Sequence, residues 1–254
     1  RRMFTNSLKK MLREGKTAYG IFLACNAPDL AEICGLAGFD FVVIDAEHGP
    51  LTTENVLHLI RASEAKQVTP IVRIPNMLES TILHTLDAGA HGIQVPQVND
   101  AVAAASIVKS SKYRPEGDRG IAFPRASDYA INGLSEYFAH ANRETMIITH
   151  CENKLCLENL EEICKQSDID VIYFGPYDIS QSLGVSGQVT HPLVEEAAEK
   201  VLQITAKYGI AAGIYAANGD IARERAQQGF RYITIGMDSV LFGAKCREEL
   251  AKVR

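Results

Sequence analysis

Eight short apolar, β-branched runs recur along the chain, separated by longer stretches with helical periodicity. The runs are Tyr19–Ala24, Phe39–Ile44, Pro70–Ile74, Gly92–Val95, Met146–Thr149, Val171–Phe174, Ala212–Tyr215 and Tyr232–Ile235. Several are continuous rather than alternating, notably Phe41-Val42-Val43-Ile44 and Val171-Ile172-Tyr173-Phe174. A strand with one face in water alternates apolar and polar residues, so unbroken apolar runs predict parallel strands buried on both faces. The separators supply the covering layer. Thr53–Ala65 sets Val56, Leu57 and Ile60 on one face, and Pro192–Tyr208 does the same with Val194, Ala197, Val201 and Ile204. Pro28–Leu36 follows a predicted cap at Asn26. Gly38, Gly209 and Gly229 stand where helices hand over to strands. Eight such units in 254 residues predict a single domain over residues 1–254, an α/β fold of the (β/α)8 TIM-barrel class. A doubly wound open sheet is the competing arrangement, because periodicity does not encode closure.

One stretch breaks the rhythm. From Ser110 to about Leu134 the chain reads as a long loop punctuated by glycine and proline, and it carries Arg119 and Arg125. Loops beyond roughly 12–15 residues in compact domains are usually functional or disordered. A lid, a subunit contact and a solvated loop are all open readings. The net charge of −5 argues against a nucleic-acid partner. No apolar run reaches the roughly 20 residues of a membrane span. Arg1 to Arg13 has no apolar stretch of the signal-peptide kind, so a cytoplasmic location is expected. The six cysteines are scattered without a Cys-x-x-Cys pair, which predicts reduced thiols rather than a disulfide framework or a zinc site.

Barrel active sites lie at the C-terminal ends of the strands. The polar residues falling there are Asp45 with Glu47 and His48, then Arg73, Gln94 and Gln97, then His150 and Glu152, and finally Gly175-Pro176-Tyr177-Asp178. Glu152 and Asp178 follow adjacent runs, and neighbouring strands lie about 4.8 Å apart, so both carboxylates can reach one ion. Two carboxylates without thiolates or a histidine cluster suit a hard cation such as Mg2+ or Mn2+. Asp178 is equally well placed to cap the following helix. Asp45 and His48, three residues apart at a turn, suit proton transfer if the carboxylate holds the imidazole. Arg73 suits an enolate or a carboxylate, and also a plain ion pair in the barrel mouth. None of the eight runs contains a lysine, and Lys154 is the only one beside these residues, which disfavours an imine mechanism.

Together these residues resemble a known family. Asp45-Ala-Glu-His48-Gly-Pro, Val-Arg73, Gly92-Ile-Gln-Val-Pro, Tyr113-Arg-Pro-Glu-Gly-Asp-Arg-Gly120, Glu152 and Gly175-Pro-Tyr-Asp178-Ile-Ser occur in the order and spacing of the HpcH/HpaI aldolases. That family comprises metal-dependent class II pyruvate aldolases, among them 4-hydroxy-2-oxoheptanedioate aldolase and 2-dehydro-3-deoxyglucarate aldolase. The resemblance implies a barrel of the phosphoenolpyruvate/pyruvate-domain type with an exchanged C-terminal helix. It implies reversible cleavage of a 4-hydroxy-2-oxo acid to pyruvate and an aldehyde, with a divalent metal ion (Mg2+, Mn2+ or Co2+) as cofactor. Glu152 and Asp178 would bind the metal, His48 would be the acid/base residue oriented by Asp45, and Arg73 would steady the enolate. Arg73, His150, Gly175, Pro176, Tyr177 and Asp178 would line the substrate. Asp87 would reach a neighbouring subunit's site in a hexamer built as a trimer of dimers. Two positions depart from the family pattern: His150 stands where glutamine is usual, and Tyr177 where a small residue is common. Competing expectations are a lyase of citrate-lyase or malyl-thioester type, an oxaloacetate decarboxylase, and a non-catalytic protein that binds a metal and a 2-oxo acid.

Overall fold

The computed structural model describes residues 4–131 and 133–254. Eight strands, β1 (Ala18–Leu23), β2 (Phe41–Asp45), β3 (Thr69–Arg73), β4 (Gly92–Val95), β5 (Met146–Cys151), β6 (Val171–Phe174), β7 (Ala211–Ala216) and β8 (Tyr232–Met237), close in sequence order into an all-parallel barrel. Closure between β8 and β1 excludes the open doubly wound sheet. The helices are α1 (Ser7–Arg13), α2 (Pro28–Ala37), α3 (Thr53–Ala65), α4 (Glu79–Asp87), α5 (Ala101–Ser111), α6 (Ser135–Glu144), α7 (Lys154–Cys164), α8 (Pro176–Ser182), α9 (Pro192–Tyr208), α10 (Gly219–Gln228) and α11 (Asp238–Ala251). Among the described residues, no helix is long and apolar enough to cross a membrane, and all six cysteines are free.

Aromatic rings fill the barrel interior. Phe41 stacks on Tyr232 with ring centroids 4.2 Å apart, and Tyr173 meets Tyr232 edge-on at 5.9 Å. Room for them comes from small neighbours, since a methyl group at Gly20 would overlap the Phe41 ring. Below them α1 closes the N-terminal end, burying Leu8 in the interior cluster with Met11 and Leu12 against it. The second apolar layer lies between the strands and the surrounding helices and holds Val42, Ile44, Leu59, Ile60, Ile147 and Val201.

Local chemistry explains where the elements depart from expectation. The helix after β1 is capped at Ala27 rather than Asn26, with Pro28 in its first turn, where the missing N–H costs nothing. β2 begins two residues later than predicted, because the Asp40 carboxylate turns back to accept the Tyr19 N–H at 2.8 Å. In β8 the register against β1 slips between Gly20 and Phe22, and Gly236 takes a left-handed φ of 63°. This is a bulge that an L side chain would strain, and it pairs Met237 with Phe22 at the barrel mouth.

The glycine- and proline-rich stretch is not a free loop. It contains a short 3-10 segment, Arg125–Ala130, and folds onto the N-terminal end of the barrel. There Arg119 donates to Asp87 at 2.7 Å, and Arg125 pairs with Glu64 and donates to the Ala88 carbonyl. Those partners sit at the C-terminal ends of α3 and α4, so this segment is no lid over its own chain's site.

Beneath the barrel, Lys112 is fully buried, donating to the Asn142 carbonyl at 2.5 Å and the Thr145 carbonyl at 3.1 Å. Burial, with Lys9 nearby, pushes its ammonium down to about 8. The unfolded chain holds this proton up to about pH 10.5 and the folded chain only to about 8, so unfolding takes up a proton between those values. The penalty for the charged form, roughly 3 kcal/mol below pH 8, is therefore expected to fade as pH rises through this window. Urea unfolding at pH 7.5 and 9.5 should show a steeper rise in stability for wild type than for Lys112→Met.

Candidate active site

The C-terminal rim of the barrel gathers the charged residues. Asp45, wholly buried at the end of β2, accepts from Arg73 Nε at 2.9 Å and Nη2 at 2.6 Å, a two-pronged pair across adjacent strands. The Arg73 Nη1 lies 3.3 Å from Glu47, and the guanidinium stacks 4.8 Å above the Phe22 ring. Burial alone would raise the Asp45 carboxyl, but Arg73 and two backbone N–H groups outweigh it and hold the group below the usual carboxylate range. Glu47 goes the other way, since burial outweighs its attraction to Arg73.

Asp45 meets His48 through the backbone rather than the ring. Its Oδ1 accepts the N–H groups of Glu47 and His48, both at 3.2 Å, and this Asx-type turn sets the direction of the loop. The expected carboxylate–imidazole contact is thus replaced by support of the turn. The His48 side chain is 72% exposed, with Nε2 3.9 Å from Glu47.

Glu152 is oriented from two sides. Its Oε1 accepts the Gln97 N–H at 2.7 Å, and its Oε2 lies 2.7 Å from His150 Nδ1. Gln97 is held at a left-handed φ of 58°, a strained setting for a residue other than glycine. The other ring nitrogen of His150 lies 2.8 Å from Gln94 Nε2, and Tyr232 donates to Gln94 Oε1 at 2.8 Å. With hydrogen on Nδ1, every group in the chain Tyr232–Gln94–His150–Glu152 has a partner. The side chain of His150 is 2% exposed and both its nitrogens are engaged, so in this structure it supports Glu152. Burial pushes the Glu152 carboxyl up, but His150, the Gln97 N–H and Arg73 bring it below its ordinary value.

Asp178 lies in the first turn of α8, exposed, just beyond Gly175 and Pro176. A Cβ placed on Gly175 would stand 3.7 Å from Glu152 Oε2 and 3.9 Å from Asp178 Oδ2. The two oxygens therefore face one gap and are no further apart than those two distances laid end to end. Two carboxylates that border one space beside Gly175 fit a hard divalent cation, which would take its remaining ligands from water or substrate. Among the described residues, no group of three or more His, Cys, Asp and Glu side chains is assembled to hold a metal.

Asp87 ends α4 at the opposite end of the barrel from this rim and is paired with Arg119 of its own chain. The sequence reading passed over Tyr215 and Phe22 on the rim and the supporting roles of Gln94, Gln97 and Tyr232. A glutamine inside a strand that is otherwise apolar, Gln94, and a second just beyond it, Gln97, were the available signal for the support of Glu152.

A closed parallel barrel with carboxylates and an arginine gathered at its C-terminal rim has the architecture of a barrel enzyme, with its charged residues where such enzymes place their sites. The family model for HpcH/HpaI aldolase/citrate lyase matches residues 18–244, and the chain belongs to that family of carbon–carbon lyases. It is 35% identical over 250 residues to a 4-hydroxy-2-oxovalerate aldolase of Novosphingobium aromaticivorans, covering 98% of this chain and 95% of that one. It is 30% identical over 249 residues to a 2-keto-3-deoxy-L-rhamnonate aldolase of Escherichia coli O17:K52:H18, covering 98% and 93%. A crystal structure of an HpcH/HpaI aldolase/citrate lyase family protein from Burkholderia cenocepacia J2315 superposes with a TM-score of 0.93 at 32% identity, over 98% of this chain and 100% of that one.

Proposed function

We propose that this chain is a cytoplasmic, divalent-metal-dependent aldolase that cleaves 4-hydroxy-2-oxo acids to pyruvate and an aldehyde, and joins them in reverse. The observation that carries this reading is the convergence of Glu152 and Asp178 on the gap at Gly175, beside the Arg73–Asp45 pair. One relative is itself named for a 4-hydroxy-2-oxo acid. Glu152 and Asp178 would hold Mg2+, Mn2+ or Co2+, which when bound supplies a Lewis acid for the 2-oxo carbonyl.

The chain's own residues do the rest. His48 accepts the proton of the 4-hydroxyl group as the C3–C4 bond breaks. The electrons of that bond stay on C3 and become the enolate double bond, while C4 leaves as the aldehyde carbonyl. Arg73 donates from Nε and Nη2 to Asp45 and lies in an ion pair with Glu47 through Nη1, which leaves N–H groups on its Nη atoms for the enolate oxygen. A proton delivered to C3 then completes pyruvate. Asp45 fixes both Arg73 and the turn that carries His48.

The same reading includes a homo-oligomer, a hexamer in which dimers exchange α11 and Asp87 serves a neighbour's site. Its support is that α11 buries only Asp238 while exposing Val240, Leu241, Phe242 and Leu250, and that Ile121, Phe123, Tyr129 and Ile131 are exposed on the 3-10 segment and its two flanks.

The deciding experiment is pyruvate release from a panel of 4-hydroxy-2-oxo acids by chelator-treated enzyme, with Mg2+, Mn2+ or Co2+ then restored. Release only with metal supports the reading, whereas undiminished release after chelation, or none from any substrate, overturns it. Because His150 supports Glu152 from behind, His150→Phe is expected to weaken Mn2+ binding roughly 10- to 100-fold. Calorimetric titration would measure this without reference to turnover.

A further inference from the structure

Opposite Glu152 across the barrel mouth, β8, β1 and the turn after β2 meet at a corner. The corner begins at the Gly236 bulge, whose left-handed φ of 63° turns the chain just before α11. Bulges beside active sites re-aim the side chains that follow them, and here the side chain re-aimed is Asp238. It is the one buried residue of α11. An acid in the first turn of a helix commonly serves that helix's own free N–H groups. Asp238 accepts one of these, from Ser239 at 2.7 Å, and otherwise reaches across to the end of β1. Its Oδ1 accepts the Ala24 N–H at 3.1 Å and its Oδ2 the Cys25 N–H at 2.9 Å. Hydrogen bonds to a charged acceptor are roughly twice as strong as neutral ones, which suits a fixed mount.

Ala24 in turn seats the loop after β2. A Cβ on Gly49 would stand 3.0 Å from the Ala24 carbonyl oxygen and 2.3 Å from that of Asp45, so the glycine is wedged between two backbones. Its N–H donates to the same Asp45 carbonyl at 3.2 Å, which closes the turn one residue beyond His48. The His48 side chain is 72% exposed, so the backbone of this turn, rather than packing around the ring, sets where the imidazole stands. Two carboxylates therefore hold the turn, Asp45 from within and Asp238 from the neighbouring strand.

We propose that Asp238 is a positioning residue for His48, and that through the backbones of Ala24 and Gly49 it fixes the turn that presents the proton-accepting imidazole to the substrate. The proposal rests on the aldolase reading above. Asp238 acts at two removes from the reacting atoms, on the side of the mouth away from Glu152 and Asp178, so its effect falls on proton transfer and not on metal binding.

The test separates kcat, KM and metal affinity in Asp238→Ala. Displacing a reacting group by about 1 Å can slow a reaction a hundredfold, so kcat for pyruvate release is expected to fall roughly 10- to 100-fold. KM and the calorimetric Mn2+ affinity should stay at wild-type values. Gly49→Ala strains the next link, and the double variant should be no slower than the slower single one, because two breaks in one path do not add. Amide exchange supplies a readout independent of turnover: residues 45–49 should exchange faster in Asp238→Ala, and residues 150–153 at the wild-type rate. The proposal fails if Asp238→Ala keeps wild-type kcat, if residues 45–49 exchange no faster, or if kcat and Mn2+ affinity fall together as in a general loss of structure. In each of these cases pyruvate release by wild type leaves the aldolase reading standing. If wild type releases no pyruvate from any 4-hydroxy-2-oxo acid, the aldolase reading fails and takes the proposal with it.

Discussion

Glu152→Gln is expected to lower kcat/KM for pyruvate formation by about a thousandfold, the scale of losing several kcal/mol of transition-state stabilisation. The substitution keeps the shape but removes the charge, and it disturbs the local hydrogen bonding as well. Both oxygens of Glu152 accept, one from Gln97 and one from His150, while an amide has only one acceptor end. Whichever way it turns, its NH2 faces a donor. Burial opposes the wild-type charge, so the fold should hold, and thermal unfolding would separate lost chemistry from lost structure. Asp178→Asn should fall similarly in activity with less local disturbance, because Asp178 is exposed. Near-wild-type turnover in either variant would remove the carboxylate pair from the mechanism.

Arg73→Ala is expected to damage both activity and stability. Asp45 has no exposure, and Arg73 supplies its charged partner, so the truncation leaves a buried carboxylate without compensation. Breaking such a pair from one side costs about 3–5 kcal/mol, which for a chain of this size lowers Tm by roughly 10 °C. Adding Asp45→Asn to Arg73→Ala should recover much of that stability and none of the activity. The pH dependence checks the same point. In wild type the Asp45 carboxyl sits below its unfolded value, so its contribution is present above about pH 4 and is lost on acidification. In Arg73→Ala burial dominates and the sign reverses, so acid should narrow the gap between variant and wild type. An unchanged Tm would show that Asp45 is better solvated than its burial implies.

The barrel was legible because its signal is local and repeated. A run such as Phe41-Val42-Val43-Ile44 reports burial on both faces without reference to the rest of the chain. Strand ends were less legible, because they depend on contacts across the sheet, as with the Asp40 carboxylate on the Tyr19 N–H. The charged rim residues could be placed from the sequence because each follows a strand. Their pairings could not. Asp45 lies three residues from His48 and 28 from Arg73, yet the side-chain pair is the distant one, because register sets β3 beside β2. The hydrogen-bond partners of His150 were hidden for a related reason. Position in a strand indicates that a residue faces inward, but whether it meets substrate or the back of Glu152 depends on Gln94 and Tyr232, which lie on two other strands. Tyr215 was missed because in an apolar strand it reads as ordinary core.

Closure of the barrel floor has a kinetic consequence. With Leu8 of α1 beneath and Phe41, Tyr173 and Tyr232 packed through the middle, the described residues fill the barrel below its mouth. Two products made in such a well leave in order. On the proposed aldolase reading, the aldehyde would depart first from the outer part of the mouth, and pyruvate, held at Arg73 and the Glu152–Asp178 pair, would depart last. In the cleavage direction pyruvate should therefore inhibit competitively against the 4-hydroxy-2-oxo acid and the aldehyde noncompetitively. In synthesis the enzyme must load its nucleophile before it accepts an electrophile.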